Sequence, residues 1–283
     1  MFGRRRDGTL ARVPPYRRIM PYLMRTKGEA MVLFEQRLDL TRALPWLEDW
    51  NRATGQRATP FHLVLHAVAE VLHQRPNLNR FVAGRRIYDR RGVFLTFAAK
   101  KAMRDDAPLA TVKRRFAPGE GFAAMVAALA TDVSVARSDR PSKVDKELSI
   151  FLRLPGPLLA AAVATLRWLD RHGLAPHALV GDDPMYTSVF LANLGSIKID
   201  AAYHHLYEHG NCPLFVTLGK VEPMAFAAED GVVRARPGVT LRYTYDERVE
   251  DGFYCAAAIG LVRGWLEDPS AWLGEPAPAQ ERP

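Results

Sequence analysis

The chain has 283 residues, 48% hydrophobic and 25% charged, enough apolar material for a sizeable core in one large domain or two small ones. Its formal charge of +8 favours anionic partners, phosphate-bearing cofactors included, but the arginines are spread without aromatic interleaving, which argues against nucleic acid. No apolar run approaches the roughly 18 residues of a membrane-spanning helix. The arginines at 4–6 lack the apolar region of a signal peptide, and two cysteines without metal-type spacing fit a reduced, cytoplasmic protein.

In chain order, residues 1–15 are basic and Pro-containing and predict a mobile arm. A domain is expected over 16–273 and a polar, Pro-containing tail over 274–283. Tyr16 to Arg25 predicts a short helix carrying Arg17 and Arg18. Met31 to Leu40 predicts a strand, and Thr41 opens a helix that runs to Thr54. Thr59-Pro60 is an N-cap and first-turn pair for a helix from Pro60 to Gln74. Its apolar face is Phe61, Val64, Leu65, Val68 and Leu72. His62, His66 and Glu70 recur every fourth residue on the other face. Paired histidines at that spacing can hold a metal, but a solvated polar face is the stronger reading, and no metal is assigned.

Strands are predicted at Arg86–Tyr88 and Val93–Lys100, and mixed helical material over 108–151 with a polar loop at 138–146. Leu154 to His172 predicts a helix with an apolar or small run from Leu158 to Leu166. A lid, a subunit contact, an interfacial helix and core packing are all open for it. From Met185 the chain is β-rich. Thr187–Leu191 is broken by Asn193-Leu194-Gly195, Pro213–Val221 reads as a strand, and Glu229-Asp230-Gly231 turns a hairpin.

The stretch Thr240 to Cys255 organises the rest. Val239, Leu241, Tyr243 and Tyr245 alternate with Thr240, Arg242 and Thr244, the period of a half-buried strand. A charged turn from Asp246 to Gly252 follows, then an apolar helix from Phe253 to Leu266 stopped by Asp268-Pro269. A strand end that delivers charged side chains to a helix start suits chemistry.

Asp246-Glu247-Arg248-Val249-Glu250-Asp251-Gly252 resembles the Asp-His-Arg-Val-x-Asp-Gly signature of the dihydrolipoyl acyltransferases of 2-oxoacid dehydrogenase complexes and of chloramphenicol acetyltransferase. Pro76-Asn77-Leu78-Asn79 resembles that family's His-Pro-x-Leu-Asn turn, and Phe190-Leu191-Ala192-Asn193-Leu194-Gly195 its Thr-Ile-Ser-Asn-Leu-Gly element. The resemblance runs over roughly residues 16–268. It implies a chloramphenicol acetyltransferase-like α/β fold, a mixed sheet flanked by helices. It also implies a homotrimer with sites between subunits and coenzyme A or acyl-CoA as cofactor.

In the family the histidine takes the thiol proton, the serine donates to the oxyanion, and the aspartate pairs with an arginine near the N-terminus. Here Glu247 holds the histidine position and Ala192 the serine position, while Asp251 and Gly252 match. Arg17 or Arg18 is the expected partner of Asp251. Asn193, Gly195 and Ser196 are the expected cofactor contacts, and His204 or His205 is a candidate relocated base. No lipoyl attachment domain is read in the sequence. These expectations describe a stand-alone CoA-dependent acyltransferase homologue with an altered site; the alternative is a non-catalytic trimeric scaffold or ligand-binding protein.

Overall fold

The computed structural model describes residues 5–100, 109–138, 152–228 and 230–276. The expected polar loop at 138–146 lies, beyond Ser138, outside them. Two sheets organise the chain. Strands β1 (Gly8–Leu10), β3 (Phe81–Ala83) and β4 (Arg86–Arg90) form a small antiparallel sheet in the order β1-β4-β3. The main sheet runs β2 (Met31–Asp39), β10 (Val233–Asp246), β8 (Leu214–Leu218), β7 (Val189–Asn193), β5 (Val93–Lys100) and β6 (Leu109–Phe116), with β9 (Glu222–Ala227) hairpinned onto β10. β7 is parallel to both β5 and β8, and the other pairings are antiparallel, so the sheet is mixed.

The helices are α1 (Pro15–Leu23), α2 (Lys27–Ala30), α3 (Ala43–Thr54), α4 (Pro60–Gln74), α5 (Phe122–Arg137), α6 (Gly156–Arg171), α7 (His177–Val180), α8 (Gly252–Glu267) and α9 (Pro269–Leu273). Residues of α3, α4, α5 and α8 cover one face of the main sheet. There Leu95, Leu191, Leu241, Leu63 and Met125 share one continuous core, the layered arrangement that buries an apolar sheet face. Phe190 and Phe215 point to the opposite face, where Leu206 and Cys212 close a smaller cluster. Strand alternation makes the two sets distinct. No helix among the described residues is long and apolar enough to cross a membrane.

Four expectations need correction. The basic segment at the start is docked from Arg5 onward: the side chain of Arg5 is buried, bonds Asp7 and Asp170, and its guanidinium lies near the rings of Phe81 and Tyr88. Residues 109–116 form strand β6, not helix. Its Lys and Arg content masked the alternation of Ala110, Val112 and Phe116 into the core. The hairpin arm expected over Val232–Arg236 and the strand expected from Val239 join in one strand: β10 runs unbroken for 14 residues through Pro237 and Gly238, because β9 pairs with its first half and β2 and β8 with its second. His62 and His66 do not line a solvated face: the Nδ1 of His62 caps Thr59 and the ring of His66 stacks on Trp272, 4.8 Å away.

Candidate active site

β10 ends in a turn whose charges are spent on holding its shape. Asp246 and Arg248 pair in a fork, Oδ2–Nη2 2.6 Å and Oδ1–Nε 2.8 Å, with side chains 1% and 4% exposed. Such bidentate pairs fix geometry as well as energy. Arg248 also donates to the carbonyl of Met24. The backbone of Glu247 is gripped from both sides: its N–H donates to the carbonyl of Ala30 at 2.8 Å, and its carbonyl accepts from Arg17 at 3.3 Å. The half-buried Glu247 side chain is therefore presented from a rigid support.

Arg17 reaches the turn from α1. It lies 2.9 Å from Glu250 Oε1 and 3.3 Å from Asp251 Oδ2, while Arg18 is exposed and makes no ion pair among the described residues. Glu250, 9% exposed at its side chain, is the more deeply covered carboxylate and also accepts from Asn77 at 2.8 Å and Arg80 at 3.2 Å. Asp251 is about half exposed and caps α8 by accepting from the N–H of Tyr254 at 2.9 Å, the usual satisfaction of a free helix donor. Gly252 is the first residue of that helix.

Glu250, Asn77, Arg80 and the Asp246–Arg248 fork were missed in the sequence. The signal that could have found them is four carboxylates within a seven-residue turn wedged between an apolar strand and an apolar helix. Charges in that position need partners.

The second element follows β7. The Asn193 side chain accepts from the N–H of Ser196 at 3.2 Å, and the Ser196 hydroxyl donates to the Asn193 carbonyl at 2.7 Å, so both groups serve the turn itself. Gly195 packs against β8's exit: a Cβ there would lie 2.4 Å from the Gly219 carbonyl oxygen. Ala192 pairs with Thr217, and Thr217 with Arg242. Glu247 lies five residues beyond Arg242, about 16 Å along the strand direction at ~3.3 Å per residue. Within one chain, Ala192 and Glu247 do not face one reacting atom.

His204 sits level with the space between them. Its ring stacks on Phe215 at 3.9 Å, and its backbone carbonyl accepts from Thr244. Its Nδ1 lies 2.7 Å from the His205 carbonyl. A carbonyl only accepts, so Nδ1 carries the proton and Nε2 keeps its lone pair. Burial holds this imidazole below its ordinary pKa, which keeps it neutral. His205 is exposed, with Nδ1 3.3 Å from the Leu206 carbonyl. Neither thiol is a ready nucleophile: burial pushes Cys255 up to about 12 and raises Cys212 as well.

This architecture is the CoA-dependent acyltransferase fold. A probable dihydrolipoamide acetyltransferase from Listeria monocytogenes superposes with a TM-score of 0.55 at 14% identity, covering 92% of this chain and 94% of that one. The truncated catalytic core of the 2-oxoacid dehydrogenase multienzyme complex from Thermoplasma acidophilum gives 0.57 at 16%, covering 92% and 99%. A chloramphenicol acetyltransferase gives 0.55 at 13%, again covering 92% and 99%. No family model and no curated protein matches the chain.

Proposed function

We propose that this chain is a stand-alone relative of the CoA-dependent acyltransferases with an altered active site completed between copies of a homotrimer. The observation that supports the reading is the register: Glu247, on a braced turn, and Ala192, on strand β7, which the resemblance matches to the family's histidine and serine positions, are too far apart in one chain to act together. A second copy closes that gap, and closed symmetric homo-oligomers are the common way to build one. The two buried, unpaired cysteines agree with a reducing, cytoplasmic setting.

The residues fit an acyl thioester only in part. Bound acyl-CoA would supply the activated acyl group. His204 offers a neutral Nε2 that can take a proton, and Glu247 a carboxylate on a fixed support. A free glutamate titrates near 4.3 and a thiol near 8.5, a mismatch about 3 kcal/mol worse than for a histidine. Ala192 has no hydroxyl for an oxyanion, a loss that costs roughly 2.7–4 kcal/mol where it has been measured. Acetyl transfer to dihydrolipoamide or chloramphenicol is therefore expected to be slow or absent. A purified sample turning over at about 10 per second, an ordinary enzyme's rate, would overturn this.

Ala192 also favours a second reading, a non-catalytic trimeric scaffold or ligand-binding protein. Acyl-CoA separates the two: the enzyme binds it and turns it over slowly, and the scaffold does neither. Light scattering tests the assembly. A mass of three chains is expected; a monomer rejects the shared site.

A further inference from the structure

We propose that the face formed by α1, the β3–β4 hairpin and α6 docks on an anionic phospholipid bilayer. The inference rests on surface chemistry and is independent of whether the chain transfers acyl groups. α6 is 16 residues long and none of them is buried, so core packing, one of its four open readings, is excluded. Its last turn is nevertheless fixed. Arg5 donates to the Asp170 carbonyl at 2.6 Å and pairs with its carboxylate at 2.7 Å. The hairpin tip presses on the same turn: Gly84 has φ +56°, and a Cβ there would lie 2.1 Å from the Arg171 carbonyl oxygen. The rest of the helix therefore stands on a rigid base with Leu158 57%, Val163 44% and Trp168 54% exposed.

Two shallow hollows join this helix to α1 across the hairpin, and Arg85 and Arg86 line both. One, of about 410 Å³, runs to Trp168 and Arg171. The other, of about 1280 Å³, runs to Arg12, Arg18, Ile19 and Tyr22. No carboxylate among the described residues lines either one. Arg12, Arg18, Arg85, Arg86, Arg167 and Arg171 are exposed and make no ion pair among the described residues. The largely covered arginines Arg5, Arg17, Arg80 and Arg248 are paired with carboxylates, whereas these exposed ones are not. Asp170 and Glu208 line a neighbouring hollow with Arg85, Arg167 and Arg171, but Asp170 is taken by Arg5 and Glu208 by the backbone N–H groups of Lys27 and Gly28, so the exposed guanidiniums mark a surface open to negative charge.

Between the guanidiniums stand Leu10 60%, Ile19 51% and Tyr22 53% exposed. Arginines bind headgroups, and aromatic and aliphatic side chains sink into the headgroup–acyl boundary; this combination defines an interfacial helix surface. A soluble polyanion would use the arginines and leave the apolar side chains in water. A second copy of the same face would set like charges against each other.

Co-sedimentation with vesicles tests the proposal on the full chain. Binding is expected to mixed phosphatidylglycerol–phosphatidylcholine vesicles, to weaken as salt rises, and to be absent with phosphatidylcholine alone. Each surface arginine contributes about fivefold to partitioning, so Arg85→Ala with Arg86→Ala is expected to lose about 25-fold. Trp168→Ala, at an exposed helix position, is expected to weaken binding with no change in thermal melting. Failure of the wild type to bind anionic vesicles, equal binding to both vesicle types, or unchanged binding by folded variants overturns the proposal. A trimer that covers this face would give the first of these results.

Discussion

Around the turn 246–252, Arg17, Arg80 and Arg248 are largely covered and each is bonded to one or more carboxylates. On the outer face, Arg12, Arg18, Arg85 and Arg86 are exposed and pair with none among the described residues. The same side chain does two jobs. Inside, a fork of fixed donors holds a loop where it presents Glu247. Outside, an unpaired guanidinium stores attraction for a partner not in the chain. Removing an inner arginine should harm folding, and removing an outer one should harm only binding.

The sharpest break of that comparison is Arg17→Met. It leaves Glu250 with Arg80 and Asn77 and strips Asp251 of its cation. Losing one partner of a buried pair costs about 3–5 kcal/mol, read as a fall in the urea midpoint at unchanged slope. A loss below about 0.5 kcal/mol, the range of ordinary surface substitutions, would show that the turn is not held by its charges. Asp251→Ala should cost less, about 1 kcal/mol, because its carboxylate is half exposed and its main bond is the cap of α8. A cost equal to that of Arg17→Met would reverse the ranking of Glu250 over Asp251.

Lys113 sharpens the comparison as a cation between the two extremes. Its ammonium donates to the carbonyls of Gly181 and Asp183, and burial together with the nearby Arg90 lowers its pKa from 10.5 to about 8. Below pH 8 it is charged in both folded and unfolded chains, so its burial penalty is constant. Between about 8 and 10.5 the folded chain has released a proton that the unfolded chain keeps, and stability rises with pH. The stability difference between wild type and Lys113→Met should therefore climb through that window and be flat below it. A difference that falls there contradicts a lowered pKa.

The strand–turn–helix from Thr240 to Cys255 was legible because alternation, an Asp-Gly pair and an apolar run follow one another without interruption. Helix α4 matched its expected bounds, Pro60 to Gln74, for a similar reason: Thr59-Pro60 marks its start and its face is strongly periodic. β6 was hidden because Lys113, Arg114 and Arg115 suggest a helix surface when read without β5 beside them. Glu250 looked like any loop charge. Only the fold brings Arg17, 233 residues away, and Asn77, 173 residues away, to its side. The distance between Ala192 and Glu247 was equally invisible, because register is a property of pairing and not of spacing.

Calorimetric titration of coenzyme A onto the purified oligomer tests the central claim most directly. An acyltransferase site completed between copies gives saturable binding of one CoA per chain, weakened by substitutions at Glu247 or His204 that leave thermal melting unchanged. A folded oligomer that takes up no CoA contradicts the claim and leaves the scaffold reading in its place.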